Sequence, residues 1–241
     1  MGDEPRLPQG ARAAPQAPPA DQEPGEDLGL ERIVFFSDAV IAIAITLLAL
    51  EIRLPELQGN VSEALPRALA GLGPRYFSFA ISFLVVGSYW WVHHRMFRVI
   101  RRYDDTLIWL TILFLLCVAF IPFASAVLGE HGDQRSAAVF YSLVIIATGL
   151  VETLLWVYAA RGHRLVEAGL SPRAIRLATL RQLTAPAVFL VALPLVLLHP
   201  YVAMAAWAAI YPLTTVLRRA ERSATHESRE AVTKRVATRR R

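Results

Sequence analysis

The stretch that decides the fold is 33–50, IVFFSDAVIAIAITLLAL, in which a single ionisable side chain interrupts an apolar run. A helix needs about 20 predominantly apolar residues to cross the ~30 Å hydrocarbon core of a bilayer. Acids inside such a helix are costly, face other helices and mark functional positions. The stretch therefore predicts a membrane-spanning helix in which Asp38 is a candidate functional residue.

Five more apolar segments follow, and all six are long enough to span a bilayer. The predicted spans are Ile33–Leu54, Tyr76–Phe97, Leu107–Leu128, Ser136–Tyr158, Leu177–Leu198 and Tyr201–Leu217. Runs of this length favour helices, whereas barrel strands would be about ten residues long and would alternate in polarity. The sequence predicts an all-α integral membrane protein with six transmembrane helices.

The composition excludes a soluble enzyme and a disordered chain. Of the 241 residues, 55% are hydrophobic and 19% are charged, whereas soluble domains carry about 25% charged residues. The net charge is +5, but the basic residues flank apolar segments, which favours membrane lipid over nucleic acid as a partner. No phosphate-binding glycine loop, Gly-x-Ser-x-Gly or His-Glu-x-x-His motif occurs in the sequence, so we expect neither a catalytic site nor a metal site.

The two ends of the chain differ from its centre. Residues 1–30 are rich in proline and alanine and predict a disordered tail, because they cannot bury enough apolar surface to offset the entropy of ordering. Residues 31–219 form the predicted six-helix transmembrane domain. Residues 220–241 are a basic tail, for which contact with anionic lipid and a solvated, partly helical state both stay open.

The arginines predict the orientation of the spans. The two loops on the amino-terminal side of the membrane carry nine: Arg95, Arg98, Arg101, Arg102, Arg161, Arg164, Arg173, Arg176 and Arg181. The opposite side carries four: Arg53, Arg67, Arg75 and Arg135. Because cytoplasmic loops carry the excess of positive charge, both termini are predicted to be cytoplasmic.

The first span has two faces. At about 100° per residue, Thr46, Leu47 and Leu50 lie within about 60° of Ile43, whereas Asp38 points about 140° away from it. We therefore predict that the apolar stripe and the acid have different functions.

Partners for Ser37 and Asp38 are predicted from depth in the membrane. His93 and His94 lie near the end of the second span, and Trp109 lies near the start of the third. All three are therefore expected at the depth of Asp38. Imidazole and indole N–H groups can donate hydrogen bonds to a carboxylate and keep it away from lipid. Asp38 is then an interhelical lock or a titrating proton carrier, and a zinc site with the two histidines is a weaker alternative.

Several short motifs occur together in this chain. They are Arg32 with Phe36-Ser37-Asp38, the stretch 42–48 (AIAITLL), Leu50-Glu51-Ile52, 88–95 (SYWWVHHR), 107–110 (LIWL), Ile121-Pro122-Phe123 and Leu128-Gly129-Glu130. The set resembles the transmembrane protein 175 family of potassium channels, over about residues 31–217. The resemblance implies that the Phe-Ser-Asp motif ties the first helix to the second and third. It also implies one six-helix unit per subunit, as in bacterial members, and a homotetramer whose first helices line the pore.

The resemblance implies a potassium-selective channel in the plasma membrane of a bacterium, with potassium as the permeant ion and no other cofactor. Carried over by position, the constriction consists of rings of Ile43, Thr46 or Leu47, and Leu50, which is the stripe that helix geometry also gives. No Thr-Val-Gly-Tyr-Gly carbonyl filter occurs in the sequence, so ordinary potassium-channel selectivity does not apply.

A second function and one conflict stay open. Three ionisable residues are compatible with a proton leak or a proton-coupled transporter: Asp38, His93 and Glu152. Arg32 lies on the same stripe as the predicted constriction, where a cation pore disfavours positive charge. We therefore expect Arg32 to pair with an acid such as Glu31 or Asp104.

Overall fold

The computed structural model describes residues 24–167 and 169–207, and the regular structure in these ranges is helical. Its helices are α1 (Pro24–Leu50), α2 (Val61–Gly71), α3 (Gly73–Phe97), α4 (Asp105–His131), α5 (Arg135–Ala160), α6 (Pro172–Gln182), α7 (Thr184–Leu198) and α8 (Pro200–Trp207). A 3-10 turn follows α5, and one isolated β-bridge joins Ile100 to Val166. The prediction of an all-α fold is confirmed for the described ranges.

Several of these helices have the length and apolar character of membrane spans. Three helices are long and apolar enough on their own to cross a membrane: Leu28–Leu50, Asp105–His131 and Arg135–His163. Two bent pairs of helices are long and apolar enough when each pair is taken as one span. They are α2 with α3, bent by 45°, and α6 with residues 184–196, bent by 40°. The described chain therefore has three candidate spans, or up to five. The predicted sixth span matches α8 as far as Trp207, and its remainder lies outside the described residues, as do residues 1–23 and the basic tail.

The first helix starts earlier than predicted. It begins at Pro24, inside the segment expected to be disordered, and not at Ile33. Leu30 packs against an apolar cluster at this end of the bundle, and a Cβ atom on Gly29 would collide with the ring of Tyr103. Close packing against the loop before α4 therefore orders a segment whose composition alone predicted disorder.

Prolines account for the other boundaries that differ from prediction. α1 ends at Leu50, and Pro55 disfavours helical geometry at the preceding Leu54, the predicted end. The predicted fifth span is two helices, α6 and α7, because Pro186 has no N–H to donate to the carbonyl of Gln182 and its ring crowds that carbonyl. The chain therefore bends by 40° between them.

The helices pack around a central pair. α4 packs against α5; α1 and α3 lie against α4, whereas α7 lies against α5 and carries α8. We call the end at which α1 begins the basal end and the opposite end the apical end. Near the apical end a buried hydroxyl network joins three helices, because Ser82 Oγ lies 2.9 Å from both Ser125 Oγ and Tyr141 Oη.

At the basal end two loops are joined through their backbones. The amides of Arg101 and Arg102 donate to the carbonyl of Leu165, and the amide of Glu167 donates to the carbonyl of Val99. These bonds connect the loop between α3 and α4 to the loop after α5. The basal end is therefore a folded surface and not two independent connections.

Asp104 anchors this surface. Its Oδ1 accepts from the Leu107 amide at 2.9 Å and caps α4, while its Oδ2 accepts from Tyr158 Oη at 2.7 Å and Arg164 Nη2 at 3.0 Å. Burial by itself raises the pKa of Asp104, but the hydrogen bonds from Tyr158 and Leu107 and the charge of Arg164 lower it by more. The pKa of this carboxyl therefore lies below its ordinary value.

This shift predicts a stability that depends on pH. Because the pKa is depressed in the folded protein, the carboxylate stabilises the fold above about pH 4, and this contribution is lost as the pH falls through the depressed pKa. Asp104→Ala removes the helix cap as well and should cost about 1 kcal/mol near neutral pH. Unfolding in detergent, followed by circular dichroism at several pH values, measures both effects.

The exposed neighbour Asp105 supplies the control. Asp105→Ala should retain the acid sensitivity of the parent protein, whereas Asp104→Ala should lose part of it. Identical pH profiles for the parent and Asp104→Ala would show that the capping carboxylate does not stabilise the fold.

Candidate functional site

α1 has a covered face and an uncovered face. Four residues at helical spacing are buried on the side that packs against α3 and α4: Ser37, Ile41, Ala44 and Leu48. On the other side, Ile43 is 58% exposed, Leu47 40% and Leu50 69% in the single chain. A continuous apolar face of this kind requires lipid or another protein surface to cover it.

All four residues of the predicted constriction lie on the uncovered face. Thr46 is also exposed, and its Oγ1 donates to the carbonyl of Ile43 at 2.8 Å. This bond uses the hydroxyl proton and leaves oxygen lone pairs as acceptors. The face predicted from helix geometry is therefore presented outward by the subunit, and its role in a pore stays a prediction.

Asp38 is bound by an indole group. Trp90 Nε1 of α3 donates to Asp38 Oδ1 at 2.8 Å, and the His94 ring stacks on Trp90 with a centroid distance of 5.6 Å. The adjacent Ser37 is buried and donates to the carbonyl of Ile33 within α1 at 2.8 Å. The carboxylate thus joins α1 to α3.

The donor to Asp38 differs from the three that depth predicted. His93 turns toward Glu152 of α5, His94 stacks on the indole that binds Asp38, and Trp109 is 69% exposed. Depth was the available criterion, but it does not fix the direction of a side chain around the helix axis. Trp90 and His94 share a face at a spacing of four residues, whereas His93 points about 100° away from His94.

The remaining motif residues lie at the surface of the subunit. Phe36 is 57% exposed, and Arg32 and Glu31 are exposed as well. Tyr158 and Arg164 bind the Asp104 carboxylate, and the pairing of Arg32 with Glu31 or Asp104 stays a prediction. Within the described ranges, no group of three or more His, Cys, Asp or Glu side chains is placed to hold a metal ion.

Arg75 fastens the apical end of α1. Its guanidinium donates to the carbonyl of Arg53, just after α1, and its Nη2 lies 3.5 Å from Glu130 Oε1 near the end of α4. A Cβ atom on Gly129 would lie 3.3 Å from the Cα of Arg75, so α3 and α4 approach closely here. One side chain of α3 therefore links the segment after Leu50 to α4.

A second polar site was not predicted as a unit. Sequence analysis named His93 and Glu152 separately, and the structure places His93 Nδ1 4.0 Å from Glu152 Oε1 between α3 and α5. Trp90 and Gln182 were missed. For Trp90 the spacing of four residues before His94 was an available signal, whereas nothing local marks Gln182, which meets α3 through the bend between α6 and α7.

Comparison with protein families gives one match. Residues 32–122, which contain most of α1 together with α2, α3 and most of α4, match the model described as "Endosomal/lysosomal potassium channel TMEM175". A crystal structure of a lysosomal potassium-selective channel TMEM175 homolog from Chamaesiphon minutus superposes with a TM-score of 0.68. It is 29% identical, and the match covers 80% of this chain and 98% of that one.

Individual relatives carry two kinds of name. A potassium channel of Streptomyces collinus is 38% identical over 62% of this chain and 74% of its own length, and one of Chamaesiphon minutus is 36% identical over 68% and 82%. A human relative, named endosomal/lysosomal proton channel TMEM175, is 28% identical over 65% of this chain and 32% of its own length.

The bond between Asp38 and Trp90 predicts an energetic coupling. Trp90→Phe and Asp38→Asn should each lower the free energy of unfolding by about 1–3 kcal/mol, because the charge-assisted hydrogen bond between α1 and α3 is lost or weakened. The double variant should lose less than the sum, with a coupling of about 1 kcal/mol. Equilibrium unfolding of the purified protein in detergent measures the cycle.

Trp109→Phe supplies the control, since Trp109 was predicted to bind Asp38 but is exposed. The cycle that pairs Asp38→Asn with Trp109→Phe should be additive. If the Asp38 variant is coupled to Trp109→Phe and not to Trp90→Phe, Trp109 is the hydrogen-bond donor to Asp38, as depth in the membrane predicted.

Proposed function

Because the chain belongs to the TMEM175 family of ion channels, we propose that it is a potassium-selective channel. Its subunits assemble as a homotetramer in which four copies of α1 surround the pore. Rings of Ile43, Thr46 or Leu47, and Leu50 form the constriction. The names of the Streptomyces and Chamaesiphon relatives support potassium as the permeant ion.

One observation carries this proposal: α1 holds its opposite face against α3 and α4 and leaves a continuous apolar stripe uncovered. Thr46 places a hydroxyl within this apolar stripe. In a tetramer the stripes of four subunits cover one another around a central axis. The same arrangement keeps the Asp38 carboxylate on the side of the helix that faces its own subunit.

Selectivity then depends on dehydration. An apolar ring too narrow for a hydrated ion favours potassium, which loses water more readily than sodium. The lone pairs of Thr46 supply oxygen contacts where the ion is partly stripped. This mechanism differs from a filter of backbone carbonyls, which replaces the hydration shell.

The proposed orientation follows the exposed charge. The basal end carries exposed arginines in both joined loops, among them Arg98, Arg101, Arg102, Arg161 and Arg164. By the positive-inside rule, this end of the bundle and both termini face the cytoplasm. The channel then lies in the plasma membrane of a bacterium. Residues 31–219 form the channel domain, and residues 220–241 stay predicted as a basic cytoplasmic tail.

Reconstitution in a planar bilayer tests the function. With potassium opposite sodium, the current should reverse near the potassium equilibrium potential. Ile43→Asn and Leu50→Asn should each reduce the ratio of potassium to sodium permeability several-fold, because a polar ring lets partly hydrated sodium pass.

Leu190→Asn is the matched control, because Leu190 is 59% exposed but lies on α7. This variant should keep the permeability ratio of the parent channel. Unchanged ratios in both α1 variants would remove the uncovered face from the selectivity mechanism.

A proton pathway is the second candidate. It is favoured by the buried pair His93 and Glu152, by the intramembrane Asp38, and by the proton-channel name of the human relative. A proton channel would give a reversal potential that follows the pH gradient at equal potassium concentrations. A proton-coupled transporter would give no channel current but substrate-dependent uptake.

A further inference from the structure

Two ionisable side chains face each other inside the helix bundle. His93 of α3 is 2% exposed and Glu152 of α5 is 0% exposed. Neither ring nitrogen of His93 and neither carboxylate oxygen of Glu152 has a hydrogen-bond partner in the described part of the chain. Buried polar groups without partners are rare and destabilise the fold, so this pair requires an explanation.

The two side chains lie close together without a hydrogen bond between them. His93 Nδ1 lies 4.0 Å from Glu152 Oε1, which is about 1 Å longer than the usual hydrogen-bond separation of about 2.7–3.2 Å. With one proton bound, the pair holds a donor and an acceptor. The imidazolium N–H donates to the carboxylate, or the carboxylic acid O–H donates to the imidazole nitrogen.

A buried arginine acts on the carboxylate of the pair. Arg181 of α6 is 5% exposed, and its positive charge acts on Glu152. An ionised Glu152 with a neutral His93 therefore leaves the cluster neutral overall, and a bound proton gives it a single positive charge. The rings of Phe97 and Phe114 lie 4.7 and 4.8 Å from the His93 ring and favour a cation there.

Two further titratable groups that interact with the pair belong to α3. His94 acts electrostatically on His93, and its ring is stacked on Trp90. Tyr89 acts on Glu152, and its hydroxyl already donates to the carbonyl of Ile145 at 2.7 Å. His94 and Tyr89 therefore influence the pair through their charge, while their own rings and hydroxyl are engaged by other groups.

The bend between α6 and α7 supplies polar groups beside the pair. Gln182 is buried, its amide donates to Met96 Sδ at 3.7 Å, and its Oε1 has no partner in the described chain. Pro186 cannot donate to the backbone carbonyl of Gln182. Irregular backbone at membrane depth is tolerated where it is buried in protein or lines a water-filled cavity. The bend between α6 and α7 therefore carries a buried hydrogen-bond acceptor, Gln182 Oε1, close to Met96 of α3.

We propose that His93 and Glu152 form a proton-binding site inside each subunit, in which one proton is shared between the imidazole and the carboxylate and exchanges reversibly with the basal side. The site is separate from Asp38, which binds to Trp90 between α1 and α3. Occupancy draws α3 toward α5 and adds a positive charge beside Arg181. It does not depend on which ion passes along α1.

Infrared difference spectroscopy of the full-length protein in lipid tests the site. The pH is changed between about 4 and 8, the range in which carboxylates and imidazoles titrate. We expect a reversible band of a carboxylic acid C=O group or an imidazolium ring. Both Glu152→Gln and His93→Gln should remove it, because the proton is shared. Asp38→Asn, which alters the other intramembrane acid, should leave it in place.

Two results would overturn the assignment. One is a spectrum in which no titrating band depends on Glu152 or His93. The other is a Glu152 acid band present at every pH, which identifies a permanently protonated structural group. If Glu152→Gln does not assemble, ¹⁵N chemical shifts of His93 in the parent protein, assigned with His93→Gln, give the same decision. Because neither measurement uses current, failure of the site and failure of potassium conduction are distinguishable.

Discussion

The attachment of α1 to its own subunit is the constraint on which the other features depend. In lipid, helices associate through close packing and hydrogen bonds, because the apolar environment gives no hydrophobic driving force between them. On the buried face of α1, the small Ala44 lies between Ile41 and Leu48 and lets the neighbouring helices approach closely. The Asp38–Trp90 hydrogen bond adds a directional contact. This attachment fixes the rotation of α1, and the rotation decides which residues point away from the subunit.

The polar groups of the bundle form separate sets at different depths. The hydroxyls of Ser82, Ser125 and Tyr141 satisfy one another near the apical end. Asp38 is satisfied across the α1–α3 contact. Within the described ranges, His93 and Glu152 face each other without a completed bond. The contrast distinguishes polar groups that stabilise packing from a pair whose state can change.

Sequence reasoning predicted the elements better than their contacts. Apolar length alone gave the positions of α1, α3, α4 and α5 because a bilayer requires that length. The stripe on α1 followed from the helical period. The Trp90 bond did not follow, since depth leaves rotation around the axis undetermined. The early start of α1 depends on a distant contact, Gly29 with Tyr103, which local composition does not report.

The position of Arg75 constrains how the apical end can move. Its side chain binds the backbone just after α1 and a carboxylate of α4 while its own backbone belongs to α3. Arg75 therefore connects the ends of α1, α3 and α4. A displacement of the segment after Leu50 is therefore transmitted to the ends of α3 and α4 through one side chain.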